Sequence, residues 1–128
     1  MRSVVLCGSH RFKPELREFG EKLKELGVIV FEPYLHFTQE DWNNLSDDYK
    51  KFVALGLTYD HFQKIKQADV VFIFNKNGYS GNSVTLEIGC AVALGKTIYA
   101  LSSEDPELCR HVLFREIIKT PEELIKKL

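Results

Sequence analysis

Short unbroken apolar runs alternate along this chain with stretches in which apolar residues recur every three or four positions. Ser3 to Cys7 is the first run, closed by Gly8, and suits a strand buried on both faces. Pro14 falls where a helix tolerates proline, in its first turn. Leu16, Phe19, Leu23 and Leu26 then repeat at helical spacing up to Gly27. Val28 to Phe31 predicts a second strand, ended by Glu32-Pro33. Between Tyr34 and Leu57 polar and aromatic residues mix, and a short helix is expected from about Ser46 to Leu55, where Asp47 and Asp48 suit a helix start. Another helix is expected from Leu57 to Ala68, with Phe62 and Ile65 as its apolar stripe. Val70 to Phe74 is the most strand-like run. After it come an apolar helix ending at Gly95, a strand over Thr97 to Leu101 and a helix from Asp105 to about Val112. A short edge strand over Glu116 to Ile118 precedes a last helix opened by Pro121.

Strands alternating with helices imply βαβ units, which close right-handed into a parallel sheet. About five such strands predict a flavodoxin-like α/β three-layer sandwich, strand order 2-1-3-4-5, as a single domain over residues 1–128. Ligands in that layout sit beyond the carboxyl ends of the strands, between strands one and three. The two loops meeting there are Gly8-Ser9-His10-Arg11-Phe12 and the stretch from Asn75 to Ser83.

One acid changes this picture. Between Lys76 and Lys96 the only ionisable acid or base is Glu87, about one turn inside an apolar helix that leaves the second loop. An unpaired buried carboxylate is unfavourable, so Glu87 reads either as a residue kept for chemistry or as a helix-start acid facing the dipole. Topology places it in the expected crevice. The loop Gly78-Tyr79-Ser80-Gly81-Asn82-Ser83 offers N–H groups and hydroxyls for an anion or a sugar. Equally, Asn82 or Ser83 could be a plain N-cap. His10 and Arg11 could grip a phosphate across the crevice or remain solvated. Tyr34, Phe37 and Trp42 could stack on a base or fill an interface. Gly95-Lys96-Thr97 is no phosphate loop, because a helix precedes it, a strand follows it, and Cys90 stands where the fingerprint needs glycine.

Composition narrows the classes. Over 128 residues, 45% hydrophobic and 27% charged, with a formal net charge of −1, nothing favours a nucleic acid polymer or a membrane surface as partner. No apolar run is long enough to span a bilayer, and the first residues lack a signal-peptide layout. Cys7, Cys90 and Cys109 lack metal-ligand spacing, and Cys7 and Cys90 read as small core residues, so neither metal nor cofactor is expected and the compartment reads as cytoplasmic. Gly89, Ala91 and Ala93 make the Glu87 helix narrow and apolar nearly all round, which predicts a homodimer built partly on it.

Leu6-Cys7-Gly8-Ser9, Ile65-Lys66-Gln67-Ala68-Asp69-Val70-Val71 and Ser83-Val84-Thr85-Leu86-Glu87-Ile88-Gly89-Cys90-Ala91-Val92-Ala93-Leu94-Gly95-Lys96 together resemble the nucleoside 2-deoxyribosyltransferase superfamily, including its smaller 2′-deoxynucleoside 5′-phosphate N-hydrolases. The resemblance implies a dimeric flavodoxin-like enzyme acting at the N-glycosidic bond of a nucleoside or nucleotide. By that resemblance Glu87 is the nucleophile at C1′, and residues around Gly81, Asn82 and Ser83 hold sugar or 5′-phosphate. Two positions depart from it. Val5 stands where the family commonly has Tyr, and His61 where it commonly has Asp, so that His61 could be the acid/base or a surface histidine. Asp60 is adjacent but projects about 100° away on a helix. Asp69 matches the pattern and reads as structural. Two alternatives stay open: a non-catalytic nucleotide sensor on the same fold, and a phosphoribohydrolase of the cytokinin-activating type.

Overall fold

The structure, a computed structural model, describes residues 2–128. Five strands form one parallel sheet: β1 (Ser3–Cys7), β2 (Ile29–Phe31), β3 (Val70–Ile73), β4 (Thr97–Ala100) and β5 (Glu116–Ile117), in the order β2-β1-β3-β4-β5. This is the expected flavodoxin-like arrangement. All four strand pairings are parallel, and Cys7 lies in register with Ile73 at the carboxyl ends of β1 and β3.

The helices are α1 (Lys13–Glu25), α2 (Gln39–Asn43), α3 (Asp47–Gln67), α4 (Asn82–Ala93), α5 (Leu108–His111) and α6 (Pro121–Ile125). Successive side chains of a strand point to opposite faces, so β1 divides its apolar residues between two cores. Val4 and Leu6 pack with Leu16, Phe19 and Leu23 of α1 and Leu124 of α6. Val5 and Cys7 pack with Ile65 of α3 and with Val84, Ile88 and Ala91 of α4.

Three expectations about the helices are corrected. The stretch read as two helices is the single helix α3, which runs straight through Gly56. An interior glycine weakens a helix by about 1 kcal/mol, too little to break one flanked by strong helix formers. The helix α2 lies in the segment read as irregular; its Thr38 and Asp41 satisfy each other's backbone N–H groups in a capping box. The helix expected over Asp105 to Val112 is limited to Leu108–His111, because the Asp105 carboxylate turns back to accept from the Glu107 N–H and from Arg110.

The carboxyl-end loops are fixed by short-range bonds. Asn75 donates to the Ser102 carbonyl and accepts from the Ser102 N–H, both within the buried interior. Gly78 adopts φ +78°, and a Cβ there would stand 2.2 Å from the Glu104 carbonyl oxygen. Gly95 ends α4 at φ +69°, and the Lys96 ammonium donates to the Lys66 and Ala68 carbonyls at the end of α3. Asp69 accepts from both the N–H and the hydroxyl of Ser3, the structural role expected of it.

Two glycines make opposite predictions. Gly56→Ala, with open space around the new methyl group, raises stability by about 1 kcal/mol in urea unfolding. Gly78→Ala combines backbone strain with a steric overlap and lowers stability by at least about 2 kcal/mol in the same measurement.

Candidate active site

Three side chains converge beyond the carboxyl ends of β1 and β3. Cys7 is the last residue of β1 and faces the α3–α4 layer. His61 projects from the half of α3 packed on the sheet, and Glu87 from the second turn of α4. The His61 Nε2 atom stands 3.3 Å from Cys7 Sγ and 3.4 Å from Glu87 Oε2. All three residues are buried, Glu87 to 9% exposure and His61 to 6%.

Desolvation dominates their proton affinities. Burial pushes the Glu87 carboxyl up to about 8. His61 is lowered to about 4, chiefly by burial and then by the Lys64 ammonium, with Asp60 acting weakly the other way. The Cys7 thiol is raised by burial and by the neighbouring Glu87. With the acid raised and the base lowered, the contact of His61 with Glu87 is one between neutral groups rather than an ion pair, and the hydrogen bond of Nε2 is with Cys7 Sγ. His61 Nδ1 is buried and has no hydrogen-bond partner among the described residues.

A narrow cleft of about 110 Å³ opens over these groups, lined by Pro33, Tyr34, Leu57, Asp60, His61, Ser83, Leu86 and Glu87 among others. Leu57 and Ser83 also line a wider cleft of about 700 Å³ that holds His10, Arg11, Lys13, Phe37 and Trp42. The Arg11 guanidinium lies 3.7 Å above the Tyr79 ring, a cation–π contact that orients it. Phe37 and Trp42 meet edge to face. Another large cleft, lined by Glu15, Glu18, Phe19 and Phe74 with Lys119, borders α1 on the opposite side of the sheet and contains none of the expected site residues.

The expected residues divide accordingly. His61, Glu87 and Ser83 meet in the narrow cleft, and His10, Arg11 and Ser83 in the wide one. Gly8 instead permits close packing, since a Cβ would stand 3.3 Å from Phe74 and 3.4 Å from Leu16. The Ser9 hydroxyl accepts from the Arg11 N–H. Neither Asn82 nor Ser83 is the N-cap of α4. Gly81 holds that position, and Asn82 is the first helical residue, exposed to solvent. Asp60 pairs with Lys64 at 2.8 Å. Cys7 was expected only as a core residue, and Lys13 was not singled out. Strand periodicity was the available signal for Cys7, because it shares a face with Val5 and lies nearer the crevice.

A parallel sheet in the order 2-1-3-4-5, with a buried carboxyl–imidazole contact beyond the ends of β1 and β3, defines a flavodoxin-like α/β protein. The match of residues 4–118 to the family model for nucleoside 2-deoxyribosyltransferase identifies the chain as a member of that family. Its chemistry, as a family of enzymes, is glycosyl transfer or cleavage at a nucleoside. Among solved structures, the chain resembles the CMP N-glycosidase of Clostridium botulinum at 23% identity, over 98% of this chain and 96% of that one, with a TM-score of 0.55. It also resembles the 2-deoxyribosyltransferase of Bacillus psychrosaccharolyticus at 16% identity, over 95% and 89%, with a TM-score of 0.63. Both likenesses establish the fold. No curated protein matches the sequence significantly. Among the described residues no helix is long and apolar enough to cross a membrane.

The buried pair sets a pH signature. On unfolding, Glu87 ionises at its ordinary 4.5 instead of about 8, so above 4.5 stability falls as pH rises. His61 gains a proton at 6.5 instead of about 4, so below 6.5 stability falls as pH drops. Between 4.5 and 6.5 the two slopes cancel. From pH 6.5 to 8 the pair therefore subtracts about 2 kcal/mol. Urea unfolding at pH 6 and pH 8 should record this loss in the wild type and its near disappearance in Glu87→Gln.

Proposed function

We propose that this protein cleaves the N-glycosidic bond of a nucleoside 5′-monophosphate, with Glu87 as nucleophile and His61 as acid/base. The observation that carries this reading is the contact of an imidazole with a buried carboxyl group at the head of a cleft. As the sugar enters, the Glu87 proton passes to His61 Nε2. The carboxylate then bonds to C1′, the C1′–N bond breaks, and the imidazolium proton goes to the departing base. Water, giving its proton to His61, opens the glycosyl ester and releases Glu87. A second base in place of water would make the reaction a transfer.

The wide cleft supports the phosphate. His10, Arg11 and Lys13 bring basic groups to one wall, and Phe37 and Trp42 bring aromatic faces to the same space. An ester phosphate suits the former and a base the latter. We also infer a homodimer. Tyr49, Phe52, Leu55 and Tyr59 form an exposed stripe on α3, and Leu86 and Val92 are exposed on α4. A second copy of the chain is the occupant that would shelter these surfaces beside the cleft.

Incubation with ribo- and deoxyribonucleosides and their 5′-monophosphates, with free base measured by chromatography, tests the reaction. Glu87→Gln should lower kcat by about 10⁴-fold or more and His61→Gln by about 10²-fold. Arg11→Ala should raise KM about tenfold or more for monophosphates only. Undiminished release in Glu87→Ala would reject this nucleophile. Tight nucleotide binding without any base release would favour a sensor, a role consistent with a carboxyl group held protonated at neutral pH.

For the dimer, sedimentation at micromolar concentration should give twice the chain mass for the wild type. Phe52→Glu combined with Leu86→Glu should give the single mass, because charges buried in an interface oppose association.

A further inference from the structure

Cys7 Sγ, His61 Nε2 and a Glu87 oxygen all lie within 4.8 Å of one another. They come from β1, α3 and α4, so nothing in their spacing along the chain announces them together. The nitrogen–oxygen separation of 3.4 Å matches an edge of a tetrahedral zinc site, and the sulfur–nitrogen separation of 3.3 Å is shorter than one by about 0.2 Å. Zinc–sulfur bonds near 2.3 Å and zinc–nitrogen or zinc–oxygen bonds near 2.0–2.1 Å give edges of about 3.3–3.6 Å. From these contacts we infer a binding site for a borderline-soft divalent cation, zinc, on Cys7, His61 and Glu87, with a water from the narrow cleft as fourth ligand.

The bonding of the metal-free cluster points the same way. The thiol and the carboxyl both face a single ring nitrogen, whose one lone pair serves one contact at a time. A cation draws on the lone pairs of all three groups at once, and a thiolate–imidazole–carboxylate set selects zinc or cobalt over magnesium or calcium. Binding displaces the thiol and carboxyl protons to solvent as the metal–ligand bonds form. The loaded site also occupies the oxygen proposed above to attack C1′. Zinc is therefore an inhibitor of the glycosidase reading, not its cofactor, and the metal site can be tested without any substrate.

Cobalt(II) is the probe, because cobalt–thiolate coordination has a charge-transfer absorption band. Titrating the full-length protein should develop this band to an end point of one cobalt per chain. The band should persist in Cys90→Ala/Cys109→Ala, where Cys7 is the remaining thiol, and vanish in Cys7→Ser. Zinc should bleach it at one equivalent and raise the thermal unfolding temperature of the same sample. Absence of the band in the wild type would overturn the inference, and so would its loss in Cys90→Ala/Cys109→Ala. Should Cys7→Ser fail to fold, the double variant decides alone, and His61→Gln should weaken its band. Where base release is measurable, equimolar zinc should suppress it at least tenfold and a chelator restore it.

Discussion

Glu87 and His61 are held together on two helices that pack against the same face of the sheet, in a space too dry to keep either group charged. Burial controls both proton affinities. It raises the acid, lowers the base, and leaves one proton on the pair at neutral pH. In a water-filled site each group would titrate near its ordinary value. The architecture beyond the strand ends is best understood as the means of excluding water from this contact.

The sheet separates that task from the rest of stability. On one side the aromatic rings of Phe19 and Phe72 stack at 4.7 Å, and Leu16, Leu23 and Leu124 complete a fully apolar core. On the other, smaller residues such as Ala68, Val84 and Ala91 let α3 and α4 come close to the strands. Cys7 belongs to this second side. A larger β1 residue there would push His61 away from Glu87, which gives a packing reason for a small side chain at the end of the strand.

The fold was largely legible in the chain. Continuous apolar runs marked the buried parallel strands, and Gly27 and Gly95 marked helix ends. The helix α3 was divided wrongly because a glycine in mid-pattern looks like a boundary, although its penalty is small. Thr38 and Asp41 carried a readable start signal for α2 that the mixed aromatic stretch around it obscured. In the site, Glu87 announced itself as the lone acid in an apolar helix. His61 was singled out only through a family resemblance, since a histidine on a helix of mixed polar and apolar residues carries no signal of burial. Cys7 was hidden inside an apolar run. The two clefts were invisible in the chain because their walls come from β1's loop, the α2 region and the middle of α3, brought together only by tertiary packing.

Lys96 ties the carboxyl end of α3 to the turn after α4, and Ile65 and Ala68 bury that end beneath the sheet. From Asp47 to Asp60, by contrast, no residue is buried. The helix is thus a beam clamped at one end, with His61 just inside the clamp and an oily, unclamped arm beyond it. Whatever grips the arm bears on the rim of the narrow cleft through Leu57 and Thr58, while the clamped end holds His61 against Glu87. Load on the arm is thereby separated from the His61–Glu87 contact.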